Sequence, residues 1–98
     1  MIKSLLFHRE AEEEIESARD WYAQQSLVAA RAFLKEIETS VEQVMKAPEM
    51  WPLYEDDIRR YVFRRFPYSL LYRVESSRIL VLAVAHAKRR PGYWRERK

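Results

Sequence analysis

Residues Phe66 to Trp94 read FPYSLLYRVESSRILVLAVAHAKRRPGYW, and this run holds most of the expected sheet. Tyr68, Leu70, Tyr72 and Val74 alternate with Ser69, Leu71, Arg73 and Glu75, the period of two that makes a strand with one apolar face. Pro67 turns the chain before it, because proline has no N–H for a ladder and fixes its own φ. Ser76 and Ser77 fit a short hairpin loop, although the Gly or Asn usual in a primed turn is absent. Ile79 to Ala85 is apolar at every position, the pattern of a strand covered on both faces. His86, Lys88, Arg89, Arg90, Tyr93 and Trp94 follow directly, so the fold and the candidate working surface share one segment.

The residues before this run supply its neighbours. Arg60 to Arg64 alternates as a further strand, with Tyr61 and Phe63 on one face and Arg60, Val62 and Arg64 on the other. Pro48 to Asp57 holds two prolines, Trp51, Tyr54 and the acids Glu55, Asp56 and Asp57, and reads as a loop; the acids lack the spacing and glycine of a calcium loop. Leu27, Ala30, Leu34, Ile37, Val41 and Val44 recur at intervals of three and four, which predicts a helix that Pro48 ends near Ala47 and Ser26 caps. Ala11, Ile15, Ala18 and Tyr22 form the stripe of an earlier helix, whose Glu10 to Glu14 run reads as solvated and favoured by the helix dipole. Two helices on so short a link pack antiparallel. Ile2 to Phe7 suits a short N-terminal strand. The expected fold is therefore α+β: one domain over residues 1–98, with an N-terminal strand, an αα-hairpin, and a three-stranded antiparallel meander forming one small sheet covered by the helices.

Composition narrows the function classes. Hydrophobic residues make up 48% and charged residues 34%, as in a globular chain. With 98 residues, folding buries roughly 60 to 65% of the unfolded surface, enough for one core. The absence of cysteine removes disulfides, thiolate metal sites and Cys nucleophiles. The longest apolar run is far short of the roughly 20 residues of a membrane span, and Met1 to Phe7 leads into charge rather than a secretory leader, so a cytoplasmic protein with no membrane partner is expected. Charge is unevenly divided: residues 1–50 carry 6 Lys and Arg against 10 Asp and Glu, whereas residues 51–98 carry 12 against 5. The basic half is where an anionic partner lands.

The element order, the Arg60 to Tyr72 segment with its Phe66-Pro67-Tyr68 turn, the apolar strand to His86 and the ending Arg89-Arg90-Pro91-Gly92-Tyr93-Trp94-Arg95 together resemble the RelE/ParE superfamily of bacterial toxins, with Tyr22 and Pro48 as further landmarks. The resemblance implies a toxin of a type II toxin-antitoxin, or plasmid stabilisation, system with a cognate antitoxin protein as partner. RelE-like members cut messenger RNA in the ribosome; ParE-like members block DNA gyrase.

Cleavage of RNA by its own 2′-hydroxyl needs a proton acceptor, a proton donor and cations at the phosphate. His86, Tyr93, Arg89 and Arg90 are the candidate catalytic residues, and Arg60, Arg64, Lys88, Trp94 and Arg95 the candidate binding residues; no metal or cofactor is implied. Against the RelE pattern, Ser69 stands where an Arg follows the strand tyrosine, Val62 replaces the second member of the basic pair begun by Arg60, and Lys88 falls where an Arg is expected. Tyr93 or Trp94 stands for the terminal catalytic Tyr. These departures favour the ParE-like reading: a non-enzymatic gyrase inhibitor. A metal-independent mRNA endoribonuclease acting at the ribosome and a basic RNA-binding module without toxicity are the alternatives.

Overall fold

A computed structural model describes residues 4–97. It contains β1 (Ser4–Phe7), α1 (Arg9–Gln25), α2 (Leu27–Lys46), β2 (Leu53–Glu55), β3 (Ile58–Val62), β4 (Tyr68–Val74) and β5 (Arg78–His86). The expected start of the first strand at Ile2 lies outside the described residues. The five strands form one mixed sheet in the order β1-β5-β4-β3-β2, antiparallel except that β1 runs parallel to β5.

Both helices begin on side-chain caps. His8 Nδ1 accepts the Glu10 N–H, and Ser26 Oγ accepts the Ala29 N–H, as anticipated for Ser26. The hairpin lays Ala11, Ala18, Phe33, Ile37 and Val44 on the inner face of the sheet, against Tyr61, Leu70, Tyr72, Ile79, Val81 and Val84. Aromatic rings fill one end of this layer, where Phe33 meets Tyr22, Phe63, Phe66 and Tyr68 at centroid separations of 5.3 to 6.4 Å.

The meander has four strands rather than three. Leu53–Glu55, expected in a loop, pairs with β3 through a turn in which Asp56 adopts φ +52°. An exposed edge strand of three residues carries no apolar alternation to reveal it. The third strand also begins and ends two residues earlier than expected, at Ile58 and Val62. Arg64 leaves the ladder because its N–H, like that of Arg65, is taken by the Glu36 carboxylate of α2.

Both faces of β5 are covered, as its sequence implies. The outer cover is the C-terminal segment, which folds back through successive turns and buries Trp94 against Ile58, Leu71, Leu80, Leu82 and Ala83. Gly92, the chain's one glycine, has φ +78°, and a Cβ there would run into the Arg95 guanidinium. A register shift opposite Leu71 and Tyr72 places Leu82 and Ala83 together on the outer face. Beyond it the inward phase passes to Val84, and His86 follows on the side of the helices.

Candidate functional site

The site lies where β5 ends beside the β3–β4 turn. Tyr68 is opposite His86 in the ladder, and the Ala87 N–H donates to the Pro67 carbonyl at 2.8 Å. The His86 ring meets Tyr68 edge to face at 5.0 Å, and its Nδ1 accepts the Lys88 N–H at 3.0 Å. That bond assigns the ring's remaining hydrogen-bonding capacity to Nε2.

A hollow of about 110 Å³ on the outer sheet face brings together Arg60, Arg89, Arg90, Tyr93 and Trp94, with Ser69 among its lining, and His86 borders it from the end of β5 with its ring against Tyr68 on the helix side. The other anticipated residues stand apart. Arg64 lines a separate hollow beside Lys35 and Thr39. Lys88 is exposed outside both, and Arg95 turns the other way to pair with Glu55, its Nη2 at 2.7 Å from the carboxylate. That pairing holds the Glu55 carboxyl below its ordinary range.

Within the hollow, Tyr93 and Trp94 are structural anchors. Trp94 is 4% exposed. The Tyr93 hydroxyl donates to Glu14 at 2.6 Å, and guanidinium groups cover its ring: Arg89 at 3.8 Å from the centroid and Arg97 at 5.0 Å. Burial pushes the Tyr93 hydroxyl well above the ordinary tyrosine value, and the Glu14 carboxylate adds to the shift. Arg60 is likewise occupied by an aromatic face, 4.5 Å above Tyr54.

Glu14 is the residue that sequence reasoning missed. It is not one of a solvated run: its side chain is 14% exposed and accepts from Tyr93, from both terminal nitrogens of Arg97 at 2.9 and 3.1 Å, and from the Val84 N–H at 2.8 Å. β1 ends at the Phe7–Val81 pair, so the following stretch of β5 has β4 on one edge and no strand on the other. Glu14 satisfies the Val84 N–H on that open edge, and Arg97 donates to the Leu82 carbonyl at 2.9 Å. Burial alone would lower the Arg97 pKa, but the Glu14 carboxylate outweighs it and the net shift is upward. The signal was in the helical spacing, since Glu14 lies three residues from Ala11 and four from Ala18. A wider groove of about 580 Å³ runs between α1 and this end of β5, lined by Glu13, Trp21, Tyr22, Tyr68, His86 and Arg89 among others.

This arrangement, a helical hairpin on one face of a five-stranded sheet and a basic hollow on the other, is a small α+β fold. It is similar to a solved structure described as the chromosomal ParDE TA system from P. aeruginosa, with a TM-score of 0.65 and 24% identity over 89% of this chain and 98% of that one. No curated protein matches the sequence significantly. The sequence profile described as ParE toxin of type II toxin-antitoxin system, parDE, matches residues 5–91, and the chain belongs to that family. Among the described residues, no helix is long and apolar enough to cross a membrane.

Proposed function

We propose that this ParE-family toxin acts in the cytoplasm by binding and inhibiting DNA gyrase, without cutting RNA. The observation that carries this reading is the commitment of Tyr93. Its hydroxyl is bonded to a buried carboxylate and its ring is covered by two cations, so the terminal tyrosine is not directed at a substrate phosphate. Ser69 and Val62 add no cation to the hollow, which leaves His86 as the one imidazole beside Arg60, Arg89 and Arg90. One imidazole among cations is a binding surface lacking a second proton-transfer group.

The groove beside α1 suits the cognate antitoxin. Trp21, 57% exposed, is an apolar anchor on its wall. Expression of the chain alone is expected to arrest growth with loss of plasmid supercoiling and intact messenger RNA, and co-expression of the neighbouring antitoxin to restore both growth and supercoiling. Growth arrest with cleaved messenger RNA and normal supercoiling would favour the endoribonuclease instead.

A further inference from the structure

Most of the described cations of the second half of the chain are sorted between the two ends of the sheet; Arg59 stands outside this division, its guanidinium donating to the Glu49 and Trp51 carbonyls. At the β4–β5 turn, Arg73 and Arg78 both pair with Glu75, at 3.1 and 2.6 Å. At the neighbouring β2–β3 turn Arg95 pairs with Glu55, and Arg97 pairs with Glu14. At the other end, Arg64 and Arg65 in the β3–β4 turn, Arg60 two positions before the end of β3, and Lys88, Arg89 and Arg90 after β5 have no carboxylate within ion-pair distance among the described residues. The Ala87–Pro67 backbone bond joins the two cationic loops side by side. Glu36 bonds the Arg64 and Arg65 N–H groups rather than their guanidinium groups, so its single charge offsets only part of the two positive charges of the turn and leaves both side chains exposed. The acids that share the wider groove with Arg89 are themselves paired: Glu10 and Glu14 with Arg97, and Glu13 with Arg9.

Unpaired, exposed cations at one end of a sheet are an electrostatic footprint for a polyanion. Its aromatics select the kind. Unpaired bases are held by stacking on free ring faces, and in the outer hollow Arg60 occupies Tyr54, Arg89 and Arg97 occupy Tyr93, and Trp94 is buried, while the exposed Trp21 belongs to the α1 groove assigned above to the antitoxin. The hollow between them, about 110 Å³, is too shallow a receptacle for a nucleotide turned out of its helix. Phosphates are therefore contacted and bases are not, the mode of a duplex gripped by its backbone.

We propose that this end of the sheet, Arg60, Arg64, Arg65, Lys88, Arg89 and Arg90, binds the phosphate backbone of duplex DNA, so that the toxin touches the DNA held by its target as well as the target itself. The choice of duplex DNA rests on the gyrase reading above. Three adjacent strands span about 10 Å, which matches on the order of three phosphates along one DNA strand.

The test is fluorescence anisotropy of the purified chain on a labelled mixed-sequence duplex, run beside gyrase supercoiling. With roughly three phosphates neutralised, the slope of log affinity against log salt is expected at about −2.7, a loss of about 40-fold between about 50 and 200 mM salt. R64Q/R65Q and R89Q/R90Q are each expected to weaken binding about tenfold and to flatten the slope, because each removes phosphate contacts. R31Q/K46Q removes the same charge from exposed positions on α2 and is expected to change neither. Equal losses in all three variants would reduce the effect to net charge and overturn the proposal, as would tighter binding to a single-stranded RNA of equal length. Inhibited gyrase with no duplex binding overturns this inference alone. Duplex binding that fails in the two cationic-end variants while gyrase is unaffected supports the surface and removes the gyrase reading instead.

Discussion

Glu14, in the first half of α1, accepts a 2.6 Å hydrogen bond from the hydroxyl of Tyr93, 79 residues later in the chain. This bond and the Arg97 pair beside it fasten the C-terminal segment over the open edge of β5. The segment in turn buries Trp94 on the outer sheet face and presents Arg89 against the Tyr93 ring. The basic surface is thus built by a carboxylate on the opposite side of the sheet.

Replacing Glu14 by Gln removes the nearer of the two carboxylates paired with Arg97, whose side chain is 9% exposed, and leaves it only Glu10 at 3.7 Å. The cost is expected to be about 2 to 3 kcal/mol, below the roughly 3 to 5 of a fully buried pair because Glu14 retains some solvent contact. An E14Q/R97M double variant should recover part of that loss. Urea denaturation of wild type, E14Q, R97M and the double variant checks the coupling, and additive costs would show that the pair is not coupled.

Trp94 closes the smaller of the two cores. Trp94→Ala is expected to cost about 3 to 5 kcal/mol through lost burial and the cavity left among Ile58, Leu71, Leu80 and Leu82. For a domain of this size that lowers Tm by roughly 12 °C or more. Trp94→Phe should cost less than half as much, and calorimetry distinguishes the two.

Tyr72 is fully buried, donates to the Pro48 carbonyl at 2.6 Å, and has its pKa raised by burial to about 12. In the unfolded chain it ionises near pH 10. The folded state therefore holds the neutral form more tightly. Its contribution is complete below pH 10 and is lost as the pH rises towards 12. Tm is expected to stay level from pH 7 to 9 and to fall above 10, with a shallower fall in Tyr72→Phe. Thermal scans across that range measure it.

Much of this architecture was legible because periodicity reports burial on one face. Leu27 to Val44 and Tyr68 to Val74 each show one stripe, and both elements formed where expected. Leu53–Glu55 shows no stripe because an exposed edge strand buries nothing, and the end of β3 was misplaced because a carboxylate 28 residues earlier takes the Arg64 N–H. The uniformly apolar β5 hid its own register shift, since every phase of Ile79 to Ala85 looks alike. The cations were visible as a cluster, but their division into paired and unpaired ends was not. It depends on which of them reach Glu14, Glu55 and Glu75 in the folded chain.

Glu36 holds the cationic turn in place through two backbone N–H groups. Glu36→Ala is expected to cost about 1 to 3 kcal/mol by leaving those donors unsatisfied. Amide exchange at Arg64 and Arg65 should quicken well beyond that global loss, while Tyr61 follows global unfolding. Uniform acceleration of all three would mean that Glu36 stabilises the domain without shaping the turn.

The proposed mode of action is tested most directly by titrating purified wild-type chain and the H86A variant into a gyrase supercoiling reaction, with a ribosome-bound messenger RNA incubated in parallel. Inhibited supercoiling by both proteins with the RNA intact is the predicted result. Unaffected gyrase together with RNA cleavage that disappears in H86A would contradict it.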